Sequence, residues 1–188
     1  ELFRLMKQAG WENVVVAPES GSVKTLDRMN KDHDPEVIIQ KIRDIREAGL
    51  KVHGFFIVGY PGESIEDLKI TQDYMRKCRF NMVFINNFQP LPGTPIYSEL
   101  VESGTIEDGL MPKNYSGGER AFTPEGLENF NFPYYVLKNY LYIMLAEPSN
   151  ILYMFQLINP KMVAKKVLTN FVNMILPRSK PSSDSPAI

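Results

Sequence analysis

Apolar and polar positions in the first hundred residues follow one pattern, repeated three times: a short oily run, a polar or glycine-rich turn, and an amphipathic stretch of helical period. The first run is Val14-Val-Val-Ala17, entering Pro18-Glu-Ser-Gly21. Ser22 then offers an N-cap for a helix to about Asn30. Asp34-Pro35 supplies an N-cap and an N1 proline for a helix to Ala48, with Ile38, Ile42 and Ile45 as its buried stripe and Gly49 in the C′ position. The second run, Val52 to Val58, enters Gly59-Tyr-Pro-Gly-Glu63. Ser64 with Asp67 forms a capping box for a helix that lines up Leu68, Thr71, Met75 and Cys78. The third run, Met82 to Phe88, enters Gln89-Pro-Leu-Pro-Gly93, and Thr94-Pro95 opens a helix ending near Gly104.

Strands oily on both faces and alternating with helices predict a parallel α/β sheet. Three units of thirty to forty residues make half a barrel or half a doubly wound sheet, and half a barrel leaves an edge that something must pair with. Before Val14, the stretch from Glu1 to Gly10 reads as the middle of an amphipathic helix, with Leu2, Leu5, Met6 and Ala9 on one face and no N-cap ahead of it. The expectation is an incomplete parallel (β/α) barrel over residues 1–104, lacking an amino-terminal half. Residues 105–133, charged and broken by Pro112, Pro124 and Pro133, read as a connecting loop. An α-helical carboxyl-terminal extension is expected over 134–177, as helices at Tyr134–Ala146, Ile151–Ile158 and Lys161–Leu176. A disordered tail is expected over 178–188.

The formal charge of −1 gives no case for nucleic-acid binding. It conceals an asymmetry, because from Tyr134 onward six basic residues face two acidic ones, a balance of +4 that leaves −5 for the preceding part. The extension has two readings: helices packed on the barrel, or a peripheral membrane face carrying Lys161, Lys165 and Lys166. Cys78, the only cysteine, excludes a disulfide framework or a multi-cysteine metal site within the chain and fits a small core residue. With no signal peptide at its start, the chain is expected to be cytoplasmic.

Ligands in parallel α/β folds gather where strands end. Glu19 with Ser20 could accept hydrogen bonds from ribose hydroxyls or an amine, or could serve as a structural carboxylate bonded to backbone N–H groups. Gly59 and Gly62 flank Pro61 in a tight turn that lets a backbone approach a flat ligand but lacks Walker spacing. Glu63 reads as a helix N-terminal charge. His33 falls in a charged turn and reads as solvated, whereas His53 reads as a core or rim residue. No catalytic set and no metal cluster emerges.

Taken together, Ala17-Pro-Glu-Ser-Gly-Ser-Val-Lys-Thr-Leu-Asp-Arg-Met-Asn-Lys31, Phe55-Phe-Ile-Val-Gly-Tyr-Pro-Gly-Glu63 and Phe88-Gln-Pro-Leu-Pro-Gly-Thr-Pro-Ile-Tyr97 resemble, in order and spacing, the fourth to sixth strands and turns of radical S-adenosylmethionine enzymes. The resemblance implies a partial (β/α)6 barrel, S-adenosylmethionine (SAM) and a [4Fe–4S] cluster whose CxxxCxxC loop would lie upstream. It also implies reductive cleavage to a 5′-deoxyadenosyl radical acting on a small-molecule substrate. This chain alone, lacking those cysteines, is expected to be inactive. By the same resemblance Glu19 and Ser20 would contact the ribose or amino-acid part, Ile57 would pack on adenine, Gly59 would allow close approach, and Phe88 and Gln89 would border adenine. The Glu-Ser-Gly-Ser turn and helical tail resemble the subgroup with an amino-terminal cobalamin-binding domain, which implies cobalamin for methylation or ring formation. Methylthiotransferases share the turns but usually continue into a β-rich RNA-binding domain, which the helical pattern here does not support. Two other classes remain: a non-catalytic helical or membrane-associated module with a degenerate barrel half, and a piece of an ordinary (β/α)8 barrel.

Overall fold

The computed structural model describes residues 1–110 and 122–157. Three parallel strands, β1 (Asn13–Glu19), β2 (Lys51–Val58) and β3 (Met82–Asn87), lie side by side in chain order. Helices α2 (Val23–Arg28) and α3 (Pro35–Glu47) connect the first pair and α4 (Ile65–Cys78) the second. A short α1 (Leu2–Gln8) precedes them, and α5 (Pro95–Glu102), α6 (Phe132–Ala146) and α7 (Pro148–Leu157) follow. The expected α/β architecture, three βα units of a parallel sheet with a helical extension, is what the chain forms.

The helix starts form as their sequence signals require. Ser22, Asp34, Ser64 and Thr94 each accept a backbone N–H from the first turn, and Ser64 with Asp67 closes a reciprocal capping box. Gly49 follows α3 at φ 80°, where only glycine is relaxed.

Val52, Phe56 and Val58 of β2 are fully buried beneath α3 and α4, and the Phe56 ring meets Tyr74 and Phe80 edge-on. Gly54 lies on the same face because a Cβ there would come within 2.9 Å of Phe80. The alternate residues His53, Phe55 and Ile57 face the other way, where Phe55 stacks on Phe84 of β3 at 4.5 Å between centroids. This second face, the interior of a barrel, is open toward β1, whose Val15 is 54% exposed. Among the described residues β1 pairs only with β2.

Several boundaries differ from expectation. In α3 the buried residues are Ile39, Ile42 and Ile45, with Ile38 at the margin. Helix α1 packs through Phe3 and Met6 and leaves Leu2, Leu5 and Ala9 exposed, so of the expected face only Met6 turns inward. Pro148 separates two helices as expected, but both Pro133 and Pro148 belong to helix starts. Pro133 sits in the first turn of α6 behind the N-cap Asn131, and Pro148 is the first residue of α7, because proline's fixed φ suits a helix start. Within the expected loop, Phe122 and Leu127 are buried, the latter in the main core. The expected helix at 161–176 and the tail at 178–188 lie outside the described residues.

Helix α6 lies beside β3 and α4, burying Phe132, Tyr135, Asn139 and Ile143. Its Tyr140 hydroxyl accepts the Ile85 N–H of β3 at 3.5 Å. Helix α7 is fixed at the opposite end of the sheet from the strand exits. Asn150 joins Asn81 at 3.0 Å and donates to the carbonyls of Phe80 and Ile143, while the Tyr153 hydroxyl meets His53 Nε2 at 2.8 Å. Helices α6 and α7 thus pack on the sheet, whereas Lys161, Lys165 and Lys166 of the membrane reading lie outside the described residues.

Candidate functional site

At the exit of β1 the ladder breaks. Val16 pairs with Gly54, but the next pairing is Glu19 with Phe56, so the segment around Pro18 bulges. Proline cannot donate to the ladder, and its carbonyl instead accepts the Ser20 N–H at 2.7 Å and His33 Nε2 at 3.1 Å. His33 is therefore a half-buried brace on this turn, not a solvated group. Glu19 follows at φ 62°, a left-handed conformation that costs a non-glycine residue about 1 kcal/mol. Its carboxylate, 14% exposed, pairs with Lys31 at 3.2 Å.

Ser20 is fully buried and turned toward α4. Its Oγ lies 2.9 Å from Thr71 Oγ1 and accepts the Ser22 N–H. The side chain therefore shapes the turn behind Glu19 and does not present its hydroxyl at the strand end. Gly21 is obligatory there, since a Cβ would come within 2.5 Å of Tyr74.

At the exit of β2, Tyr60 to Glu63 form a tight turn closed by the Glu63 N–H on the Tyr60 carbonyl, with Gly62 at φ 82° after Pro61. Gly59 stands at φ 75°, and the space a side chain would take faces Phe132 at 3.4 Å and Pro124 at 3.9 Å. Its smallness is thus matched by packing on that side. The Gly59 N–H donates to Glu63 Oε2 at 2.5 Å. Glu63 is only 2% exposed and its Oε1 has no hydrogen-bond partner. Burial is the dominant influence and raises its pKa to about 7, against the lowering effect of the backbone bonds. It is a buried turn-former, where the sequence suggested a helix-terminal charge.

The third exit runs against the second, with the Phe88 N–H bonded to the Val58 carbonyl at 2.8 Å. The Phe88 ring is buried between Tyr60 and Phe122. Ile57 and Gln89 are half-buried, and Ile57 packs against this second cluster. The six expected residues thus stand on adjacent strand ends, but unequally: Glu19, Ile57 and Gln89 keep partial exposure, while Ser20 and Phe88 are absorbed by packing and Gly59 is covered on one side.

Sequence reasoning missed what joins the turns. Asp67 accepts Ser22 Oγ at 2.6 Å, Ser64 Oγ at 2.6 Å, the Ser64 N–H at 2.9 Å and Lys24 Nζ at 3.2 Å. Lys24 also donates to the Gly62 carbonyl at 3.1 Å. One carboxylate therefore stitches the turn after β1 to the turn after β2. Desolvation opposes its charge, but hydrogen bonds from Ser22, Ser64 and Lys24 prevail and hold its pKa at about 2. The capping box marked Asp67 in the sequence; nothing there marked its reach to Ser22.

The donor set does not fit an iron–sulfur cluster. Cys78 lies on the buried face of α4, and desolvation pushes its thiol up to about 12. No group of three or more potential metal ligands occurs among the described residues. At the strand ends an aliphatic side chain, a carboxylate and an amide, Ile57, Glu19 and Gln89, line the edge of a half-exposed sheet face.

Residues 1–75 match the family model of the Radical SAM superfamily. A tRNA-2-methylthio-N(6)-dimethylallyladenosine synthase of Rickettsia canadensis is 40% identical over 79 residues, 41% of this chain and 18% of that protein. A protein of Methanocaldococcus jannaschii named as a methylthiotransferase is 35% identical over 111 residues, 59% of this chain and 24% of its own length. The chain thus spans about a fifth to a quarter of these relatives. Among solved structures, Elp3 of Methanocaldococcus infernus aligns with a TM-score of 0.47 at 26% identity, over 54% of this chain and 24% of that one. The named relatives lend no support to the cobalamin-domain subgroup.

Proposed function

We propose, from the match of residues 1–75 to the family model of the Radical SAM superfamily, that the chain supplies the adenosyl-binding strand ends of a SAM-cleaving enzyme. The observation that carries this is the side-by-side placement of three strand exits, β1 at Glu19, β2 at Gly59 and β3 at Phe88, beside an open interior face. In this reading Glu19 accepts from ribose hydroxyls, Ile57 packs on adenine, and Gln89 borders the ring. Gly59 and Phe88 form the wall behind, and Ser20 keeps the Glu19 turn in shape. Bound there, SAM with a reduced iron–sulfur cluster would supply radical chemistry, its adenosyl part held by Glu19, Ile57 and Gln89.

Methylthio transfer is the reaction favoured by the relatives. Cobalamin-dependent methylation or ring formation is a second reading, favoured by the helices α6 and α7 that follow the barrel strands. Reconstitution of the full-length protein with iron and sulfide, then assay for 5′-deoxyadenosine, tests the shared premise. Its absence overturns both. Product analysis for methylthio against methyl groups separates them. Glu19→Ala should weaken SAM binding roughly tenfold, as loss of a charge-assisted hydrogen bond implies; unchanged affinity removes Glu19 from the site.

A further inference from the structure

Helix α6 carries two apolar faces. One is buried; the other comprises Tyr134, Leu141, Tyr142 and Leu145, all exposed, with Lys138 among them. At helical spacing these five fall within about 100° of arc and run about 16 Å along the axis. Leu145 is 72% exposed, and Leu152 of the neighbouring α7 is 65% exposed. Isolated exposed leucines are ordinary in soluble proteins, whereas a continuous stripe over three turns marks a surface that docks on something.

The charges beside the stripe indicate what. Lys138 is the only charged residue within α6, and α7 has none. Glu147, between the two helices, is consumed by Arg46 at 2.5 Å and Arg79 at 2.9 Å. At the amino-terminal end of the stripe, a cavity of about 270 Å³ opens between α4 and α6. It is walled by Phe130 and Tyr134 and reached by Lys69 and Lys138, with no carboxylate in its lining. Lys69 also meets Glu66 at 3.3 Å on the exposed face of α4, and Lys138 approaches Gln72 at 3.4 Å. The Arg76 guanidinium lies 4.8 Å over the Tyr142 ring. From Phe132 to the carboxyl terminus six basic residues face two acidic ones.

We propose that this face of α6 and α7 docks on an anionic lipid surface. Leu141, Leu145 and Leu152 enter the acyl boundary, Tyr134 and Tyr142 sit at headgroup level, and Lys138 and Lys69 meet phosphates. A lysine amid the stripe suits a wet headgroup layer, into which its ammonium can extend, better than the dry centre of a protein–protein interface. No described helix is long and apolar enough to cross a membrane, which fits a helix lying in the interface plane. This inference does not rest on the SAM-binding reading, and its test needs no cofactor.

The test is co-flotation of the full-length protein with phosphatidylcholine vesicles, with and without phosphatidylglycerol. Flotation should require the anionic lipid and weaken as salt is raised. Leu141→Glu with Leu145→Glu should lower partitioning roughly tenfold or more, while Lys69→Glu with Lys138→Glu should remove the preference for phosphatidylglycerol. These residues are exposed, so a retained circular dichroism spectrum is expected for both variants. Absence of flotation at every composition overturns the proposal, as does flotation that the double leucine variant leaves unchanged. A dimer seen by light scattering and dissolved by that variant, without flotation, gives the face to a second copy of the chain instead.

Discussion

The buried links at the two ends of the sheet differ in chemistry. At the strand exits the fastening is charged: Asp67 gathers two serine hydroxyls, a backbone N–H and a lysine ammonium, and every partner comes from the barrel units themselves. At the strand entries the buried links are neutral side chains, with the ion pairs of Arg46 and Arg79 to Glu147 beside them. Asn81, Asn150, His53 and Tyr153 link β2 and β3 to α7, with Lys51 over the Tyr153 ring at 3.4 Å. A charged hub holds loops in register over a polar, accessible rim, where the ammonium of Lys24 stays largely in water. A neutral network suits a buried junction, where an ion would have to be desolvated. The barrel units therefore organise their own ligand end, and the extension closes the other.

The comparison breaks most visibly at Asp67. Asp67→Ala leaves two hydroxyls and a backbone N–H without their acceptor, and should destabilise the domain by about 2–4 kcal/mol in chemical denaturation. Because its folded-state pKa is depressed, the stabilisation is present above the ordinary value of 3.8 and lost as pH falls toward about 2. Acid unfolding of the wild type should steepen in that window, and Asp67→Asn should flatten it. At the other end, Asn150→Ala strips hydrogen bonds from Asn81 and from the Phe80 and Ile143 carbonyls, at about 2–3 kcal/mol. Amide exchange should quicken in α7 and leave α2 and α4 unaffected; uniform quickening would mean that the two fastenings are not independent.

What was legible in the sequence follows the range of the interactions. The strands and the N-caps at Ser22, Asp34, Ser64 and Thr94 are local devices, and all formed as expected. The face of α1 was legible only at Met6, because Leu2 with Leu5 and Phe3 with Met6 both recur at helical spacing, and only the neighbouring sheet decides between them. The helix starts at Pro133 and Pro148 were set late, at Tyr134 and Ile151, although proline's fixed φ suits a first turn. At the site, strand ends alone located Glu19 and Gly59. The direction of Ser20 depends on Thr71, 51 residues away, and the burial of Phe88 on Tyr60 and Phe122, contacts that no local pattern encodes.

Glu63 sharpens the comparison, because it is a carboxyl at the charged end that burial makes reluctant to ionise. Its pKa rises from 4.5 to about 7, so the stability it contributes is complete below 4.5 and is lost as pH rises through about 7. Glu63→Gln, which can still accept the Gly59 N–H, should remove that loss and stabilise the domain at pH 8 by about 1–3 kcal/mol. A denaturation midpoint lower than wild type at pH 8 would mean that the ionised carboxylate is the form the turn needs.

The smallest effect belongs to the neutral end. Tyr153→Phe keeps the ring under Lys51 and removes only the hydroxyl bonded to His53, at about 1 kcal/mol. Burial, and secondarily the charge of Lys51, lower the His53 pKa. A depressed folded-state value makes the imidazole contribute stability above its ordinary 6.5 that is lost as pH falls below it, the reverse of Glu63. Wild type should therefore lose stability in α7 on mild acidification while the turn at Gly59 gains it, read by amide exchange at the two ends of the same sample. His53→Gln should remove the acid sensitivity of α7 alone. If acidification protected both ends together, the sheet would respond as one body, and the separation between its charged and neutral fastenings would not hold.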